Sequence, residues 1–322
     1  MKRLLALSLV LLAGAAAAQS YPPQLYPQKP VRLLLTFSAG GQADILARAV
    51  VEKMRPSFGQ QIIVEARPGA GGNLAMEATA KAAPDGYTLV LGTPAVAING
   101  ALYKKLSYDP LKDLAPLSMV ALGSYVVYAS GTLPVSTAGE FITYARARPR
   151  ALNYASVGVG SGTHLAAVLF TLAAGLEMSH VPYKGIQQAA PELVSGDVHL
   201  TFNALGPLAQ FVQSGRIKML AVSGAKRSPQ LPEVPTLAES GLPGFEAYGW
   251  YGLFTTAGTP REVLQKLNAE IVAAVSSPGL NERIQGMGLV PAPQSLDEAA
   301  KFVTAEAAKW GPAVKASNAT AE

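Results

Sequence analysis

The chain has 322 residues, no cysteine and a formal net charge of +5. The missing cysteines exclude disulfides, thiolate metal sites, a cysteine nucleophile and the lipid-bearing cysteine of a bacterial lipoprotein. The basic residues are scattered. The densest cluster, Arg146, Arg148 and Arg150, falls at a predicted helix end where cations complement the dipole, so no nucleic-acid surface is expected.

At the N-terminus Lys2 and Arg3 precede an apolar run over residues 4–18 that closes on Ala16-Ala17-Ala18. This is the pattern of a secretory signal peptide, expected over 1–18. The run is shorter than the ~20 residues a membrane-spanning helix needs. Cleavage after Ala18 would leave about 300 residues, more than one ordinary core accommodates, so two domains are expected. The mature chain keeps a small positive excess, which at most helps attract anionic solutes.

Strand and helix patterns then alternate. Residues 31–37 read as a strand, 43–57 as a helix, 61–65 as a strand, 73–83 as a helix and 87–92 as a strand. A β-α-β-α-β order implies a parallel sheet wrapped by helices. A second set starts near Ala121, with strands at 125–130, 153–156, 179–183, 198–202 and 217–222 and a helix at 163–174. Thr137 and Glu140 form a predicted capping box. Residues 226–245 hold Pro229, Pro232, Pro235 and Pro243 and read as an ordered loop or crossover. A strand at 251–255 follows, then two more boxed helices, one from Thr259 with Pro260 at its first position and one from Ser295 with Glu298. The last hundred residues are too poor in strands for a third sheet. They are expected to complete the first lobe, giving lobe 1 over 19–120 and 225–322 and lobe 2 over 121–224. A chain that crosses twice between two α/β lobes makes a hinged central cleft.

Ligands of open α/β sheets bind at the carboxyl ends of strands, and four loops stand there. The first holds Ser38, Ala39, Gly40, Gly41, Gln42 and Asp44. Its glycines allow close backbone approach, and the helix start behind it favours an anion. The second runs from Ser156 through Gly158 and Ser161 to Thr163 and His164; its hydroxyls and backbone donors suit a carboxylate. Thr93 and Asn203 each end a strand, where ligand contact and helix capping are equally open readings. Ser161 lacks the flanking glycines of a nucleophile elbow. Neither a dinucleotide fingerprint nor a phosphate-binding loop is present. His164, His180 and His199 lack metal-ligand spacing, so no metal is expected. His180 reads as structural and His164 as a candidate for the cleft.

Several blocks of the chain carry a family resemblance. They include Tyr26-Pro27-Gln28-Lys29-Pro30-Val31, Gly40-Gly41-Gln42-Ala43-Asp44, Arg67-Pro68-Gly69-Ala70-Gly71-Gly72-Asn73, Ala83-Pro84-Asp85-Gly86-Tyr87, His180-Val181-Pro182-Tyr183-Lys184-Gly185 and Val234-Pro235-Thr236-Leu237. The chain resembles the Bug-type extracytoplasmic solute receptors, the binding components of tripartite tricarboxylate transporters. The resemblance implies a two-lobed α/β periplasmic binding protein fold, a small carboxylate ligand held by the loops at 38–44 and 156–164, no cofactor, no catalysis and membrane transporter subunits as partners. The protein itself is expected to be a monomer. Two positions depart from the family pattern: Ser38-Ala39 stand where relatives have two prolines, and Asn203 stands where many have an acidic residue. The alternatives are a periplasmic hydrolase using Ser161 or His164, or a sensory module with the same clamp.

Overall fold

The computed structural model describes residues 26–316; the expected signal peptide lies outside the described residues. The first sheet begins with β1 (Val31–Leu35), β2 (Ile62–Ala66) and β3 (Thr88–Gly92), all parallel, with β1 in the middle. Leu33, Leu34 and Leu35 are all buried, as expected of a strand covered on both faces. Helix α1 (Gln42–Phe58) joins β1 to β2, and α2 (Asn73–Ala80) joins β2 to β3. In α1, Leu46, Val50, Met54 and Phe58 recur at helical spacing and are buried. Each such side chain contributes roughly 1.5–3 kcal/mol when fully buried. Gly59 ends the helix at φ +80°, a conformation glycine adopts without a Cβ penalty.

Helix α3 (Ala95–Leu102) and strand β4 (Leu114–Ser124) follow. Neither was placed from the sequence, and β4 contains Pro116, a residue that argues against a central strand. The structure places Pro116 opposite Phe254, next to a register shift. There a missing N–H disturbs no regular ladder. The chain leaves the first sheet at Ser124 and enters the second at Val126.

The second sheet contains β5 (Val126–Ser130), β6 (Asn153–Ser156), β7 (Ser179–Pro182), β8 (Leu200–Asn203) and β9 (Ile217–Val222), in the order β7-β6-β8-β5-β9. Strands β6, β7 and β8 are parallel and β5 runs against them. Helices α4 (Ala138–Arg146), α5 (Gly162–Ala174), α6 (Ile186–Ser195) and α7 (Ala209–Gln213) connect them. The proline-rich stretch carries no regular element, only a bridge between Val222 and Thr236. The chain then returns through β10 (Tyr248–Thr256), which inserts antiparallel between β3 and β4. Helices α8 (Arg261–Val275) and α9 (Pro278–Gly286) and the short β11 (Val290–Pro291) follow, and α10 (Leu296–Ala316) closes the described chain. The first sheet is therefore ordered β11-β4-β10-β3-β1-β2 and is mixed rather than purely parallel.

Two of the three predicted capping boxes form. Glu140 N–H donates to Thr137 Oγ1 at 3.1 Å. Ser295 and Glu298 exchange bonds, N–H to Oε2 at 2.8 Å and N–H to Oγ at 3.3 Å. The third does not. Pro260 is the cap, with extended ψ 142°, and the Thr259 hydroxyl donates to Thr256 O instead. A hydroxyl two places before the first helical residue cannot reach the free N–H groups of that turn.

Each sheet is covered by helices on both faces. The apolar cluster on one face of the first sheet, including Trp250 and Trp310, runs on into Phe170 of α5 and Phe202 of β8. The two halves thus share packing along one side, where α10 touches α3, β4 and α5.

Candidate functional site

A cavity of ≈ 460 Å³ lies between the two sheets. Strands β1, β3 and β4 end at it on one side, and β6, β7 and β8 on the other. Ser38, Ala39, Gly40, Gly41 and Gln42 border it from the loop after β1, Thr93 from the end of β3, Ser161 and Thr163 from the start of α5, and Asn203 from the end of β8. The structure brings these residues together from both halves of the chain. It places Asp44, Ser156, Gly158 and His164 behind the walls rather than on them.

In the first loop Gly40 adopts φ +83°, the left-handed conformation that favours glycine, while Gly41 is extended at φ −82° and caps α1. Asp44 Oδ2 accepts from Gly40 N–H at 3.0 Å, and its other oxygen accepts from Arg48 Nε at 2.8 Å. Asp44 therefore fixes the loop from behind. Gln42 is a brace: Nε2 donates to Met287 O at 2.9 Å and Oε1 accepts from Tyr251 OH at 3.1 Å. Tyr251 also borders the cavity, and burial pushes its phenol up to about 12. The N–H groups of Gln42, Ala43 and Asp44 have no acceptor among the described residues, as the first turn of a helix dictates.

The second loop is held by its own hydroxyls. Ser161 Oγ donates to Gly158 O at 2.7 Å, lies 3.0 Å from Thr163 Oγ1, and accepts from His164 N–H to cap α5. Thr163 Oγ1 accepts from Val157 N–H at 3.1 Å. Ser156 Oγ lies 2.7 Å from His180 Nε2. His164 is 3 % exposed and its Nδ1 accepts from Gly160 N–H at 3.2 Å. Its ring stacks on His180 at 4.0 Å, and Tyr154 extends the stack. Burial holds His164 down at about 4 and His180 at about 3, the latter also through its neighbour His164. Two neutral imidazoles thus support the loop from its inner side. Gly162 and Thr163 N–H groups remain without acceptors, and α6 presents Ile186 and Gln187 at the same cavity in the same way.

Thr93 and Asn203 are 5 % and 6 % exposed. Neither side chain caps a helix: Pro94 is the cap of α3 and Leu208 that of α7. Thr93 Oγ1 has no partner. Asn203 Oδ1 accepts from Ala204 N–H at 2.9 Å, leaving Nδ2 unpartnered. Buried polar groups are normally satisfied; these two unpartnered atoms belong to residues that border one cavity from opposite sheets.

Tyr125, Trp250, Tyr251 and the start of α6 also border the cavity and were not anticipated. Tyr125 stands at the crossing between the sheets, and burial drives its phenol far above the usual range. The loop after β7, ending at Gly185, is a strand-end loop like the other four and was findable on that ground. The residues lining the cavity include no Asp, Glu, Lys, Arg or His. Among the described residues no three His, Asp or Glu side chains are grouped to hold a metal ion, and no helix is long and apolar enough to cross a membrane.

Two sheets joined by two crossings, with a cavity at the carboxyl ends of both, define an α/β periplasmic binding protein fold. The chain belongs to the tripartite tricarboxylate transporter family receptors, whose family model matches residues 46–319. It is 32 % identical over 321 residues to Protein BugT of Bordetella pertussis, covering 99 % of this chain and 98 % of that one. Among solved structures it is similar to the R. palustris protein Rpa4515 with adipate (34 % identity, TM-score 0.85, 92 % of this chain and 99 % of that one). It is likewise similar to the periplasmic binding protein BugD (31 % identity, TM-score 0.83, 92 % and 100 %).

Proposed function

We propose that this protein is exported through a cleaved signal peptide and works in the periplasm as a monomeric receptor that captures a small carboxylate-bearing metabolite for the membrane subunits of a tripartite tricarboxylate-type transporter. One lobe would hold the first sheet, with the chain through Ser124 and again from β10, and the other the second sheet, from Val126 to Val222, with the turn at Tyr125 as one hinge between them. The observation that carries this reading is the convergence of three helix N-termini, those of α1, α5 and α6, on a cavity without charged side chains. Each N-terminus presents free N–H groups and the equivalent of about half a positive charge. Together they hold a carboxylate without a buried cation. The backbone of 38–42 supplies one set of donors and Gly162 and Thr163 the facing set, with Thr93 and Asn203 completing the grip. Adipate in Rpa4515 is consistent with the same class of ligand.

Capture rather than turnover is supported by the hydroxyl of Ser161. Its partners are Gly158 O, Thr163 and the His164 N–H, and the His164 Nδ1 is engaged by Gly160. Ser161 and His164 therefore form no nucleophile–base pair. Calorimetry with a panel of mono-, di- and tricarboxylates, adipate and malate included, is expected to give stoichiometric binding with no new product by mass spectrometry, and small-angle scattering should show a smaller radius of gyration with ligand. Absence of binding to every acid, or accumulation of product, would remove the reading.

A further inference from the structure

We propose that Asn99, on α3 and outside the solute cavity, is a positioning residue for closure: its buried amide opposes the docking of the second half's loop at Gly160, holds the free receptor toward the open form, and so sets how tightly any solute is bound. The inference deepens the receptor reading above, on which it rests.

Helix α3 belongs to the first half of the molecule and the loop before α5 to the second. The start of α3 borders the cavity through Thr93 and Pro94, but Asn99 does not. Asn99 is 0 % exposed. Its Nδ2 donates to Asn73 Oδ1 at 3.0 Å, and Tyr108 OH donates to the same oxygen at 2.7 Å. These bonds tie the start of α2 to α3. Asn99 Oδ1 and Asn73 Nδ2 are left without partners. Turning both amides over exchanges the two kinds of atom and still leaves one polar atom of Asn99 on the Gly160 side.

That side is closed by backbone from the other half. A β-carbon on Gly160 would stand 2.9 Å from Asn99 Oδ1, with Leu102 Cδ2 and Tyr103 Cε2 as its other neighbours. The loop returns no hydrogen bond to the amide. Gly160 N–H goes to His164 Nδ1, and Ser161 N–H to Gly158 O. The rest of the junction is apolar: Leu102 is part of the core, and Tyr103 and Val159 pack against it. Docking therefore takes one face of the Asn99 amide out of water without replacing its bond, which costs the desolvation of that group. Parting the halves at Gly160 returns the atom to water. Because apparent affinity scales with the fraction of free protein in the binding-competent form, a residue that lowers this fraction weakens every solute by the same factor.

The test is Asn99→Leu in the full mature protein, which gives the junction an apolar seal of similar size. Small-angle scattering on the free variant should show a radius of gyration smaller than that of free wild type, shifted toward the liganded value. Calorimetry with adipate, malate and every other acid that binds the wild type should show affinity raised by one common factor, about threefold or more. Should Asn99→Leu fail to fold, Asn99→Ala, which also has no polar atom to desolvate, should move both readouts in the same direction. An unchanged free radius, or an affinity unchanged or weakened, overturns the inference; a lower melting temperature alone would mean that Asn99 only ties α3 to α2. A gain for some acids and not for others overturns it as well, because it would place Asn99 on the solute. If no acid binds the wild type, the carboxylate reading falls, while the radius of the free variant still decides the role of Asn99.

Discussion

Gly160, in the loop before α5, lies directly against Asn99 of α3: a β-carbon placed on Gly160 would stand 2.9 Å from Asn99 Oδ1 and 2.7 Å from Leu102 Cδ2. On the same flank Gly71 approaches Val159, where an added β-carbon would lie 2.6 Å from the carbonyl oxygen. The two halves of the molecule therefore meet through backbone at positions without side chains, outside the cavity itself.

Gly160→Ala should prevent this approach. Ligand affinity is expected to fall at least tenfold, and the liganded protein should keep a larger radius of gyration than wild type. Gly160 has φ +78°, so some local strain accompanies the change. Gly158→Ala is the control. Gly158 also has positive φ, but its β-carbon would meet only Tyr183 O at 3.8 Å. A loss of affinity as large in Gly158→Ala would show that strain in the loop, not contact between the halves, is responsible.

Gly162 faces the Tyr125 hydroxyl so closely that any β-carbon there collides with it. Gly162→Ala should lower the melting temperature and weaken binding although its N–H is retained. Adding Tyr125→Phe removes the colliding oxygen and should recover much of both losses. Non-additivity of that sign is the expected signature of a direct contact; purely additive losses would refute it.

The stacked imidazoles predict a pH dependence. Burial holds His164 at about 4 and His180 at about 3, below the ordinary value of 6.5 that both regain on unfolding. The unfolded chain then binds more protons than the folded one between those values. The stabilisation is complete above about pH 6.5 and is lost as the pH falls toward the folded-state values. In His164→Asn, Oδ1 can accept from Gly160 N–H in place of Nδ1 without titrating. Denaturant unfolding at pH 7 and 4.5 should show a pH-induced loss smaller by about 2 kcal/mol in this variant. An identical loss in both proteins would mean that His164 titrates normally.

Glu306 Oε2 accepts from Trp250 Nε1 and Trp310 Nε1, each at 2.9 Å. Glu306→Ala leaves two buried indole donors unpaired and should cost about 2–4 kcal/mol. Glu306→Gln retains a carbonyl oxygen and should cost less than half of that. Urea unfolding followed by tryptophan fluorescence separates the two, and equal costs would show that charge, not hydrogen bonding, is what Glu306 supplies.

Local patterns made much of this molecule readable. The apolar run at 31–37 followed by Gly40-Gly41 placed β1, its loop and the start of α1, and the hydroxyls around Gly158–Ser161 placed the loop before α5. What failed was decided at long range. Trp250 and Tyr251 reach the cavity because β10 inserts between β3 and β4, a pairing that no local signal announces. His164 sits beside the glycine loop in sequence but turns inward, because its Nδ1 takes up the Gly160 N–H and its ring packs on His180. The paired glycines looked equivalent, yet only Gly40 needs positive φ. Thr93 and Asn203 were visible as polar residues at strand ends, but only the assembled wall shows which of their atoms lack partners.

The three helix starts that converge on the cavity come from opposite halves, α1 from one and α5 and α6 from the other. Like poles are thereby set face to face. On the proposed carboxylate reading, an anion between them would offset that opposition as a keystone does in an arch. Charge on the solute would then count as well as its outline, and a primary amide with the same shape as the preferred acid should bind more weakly than the acid itself.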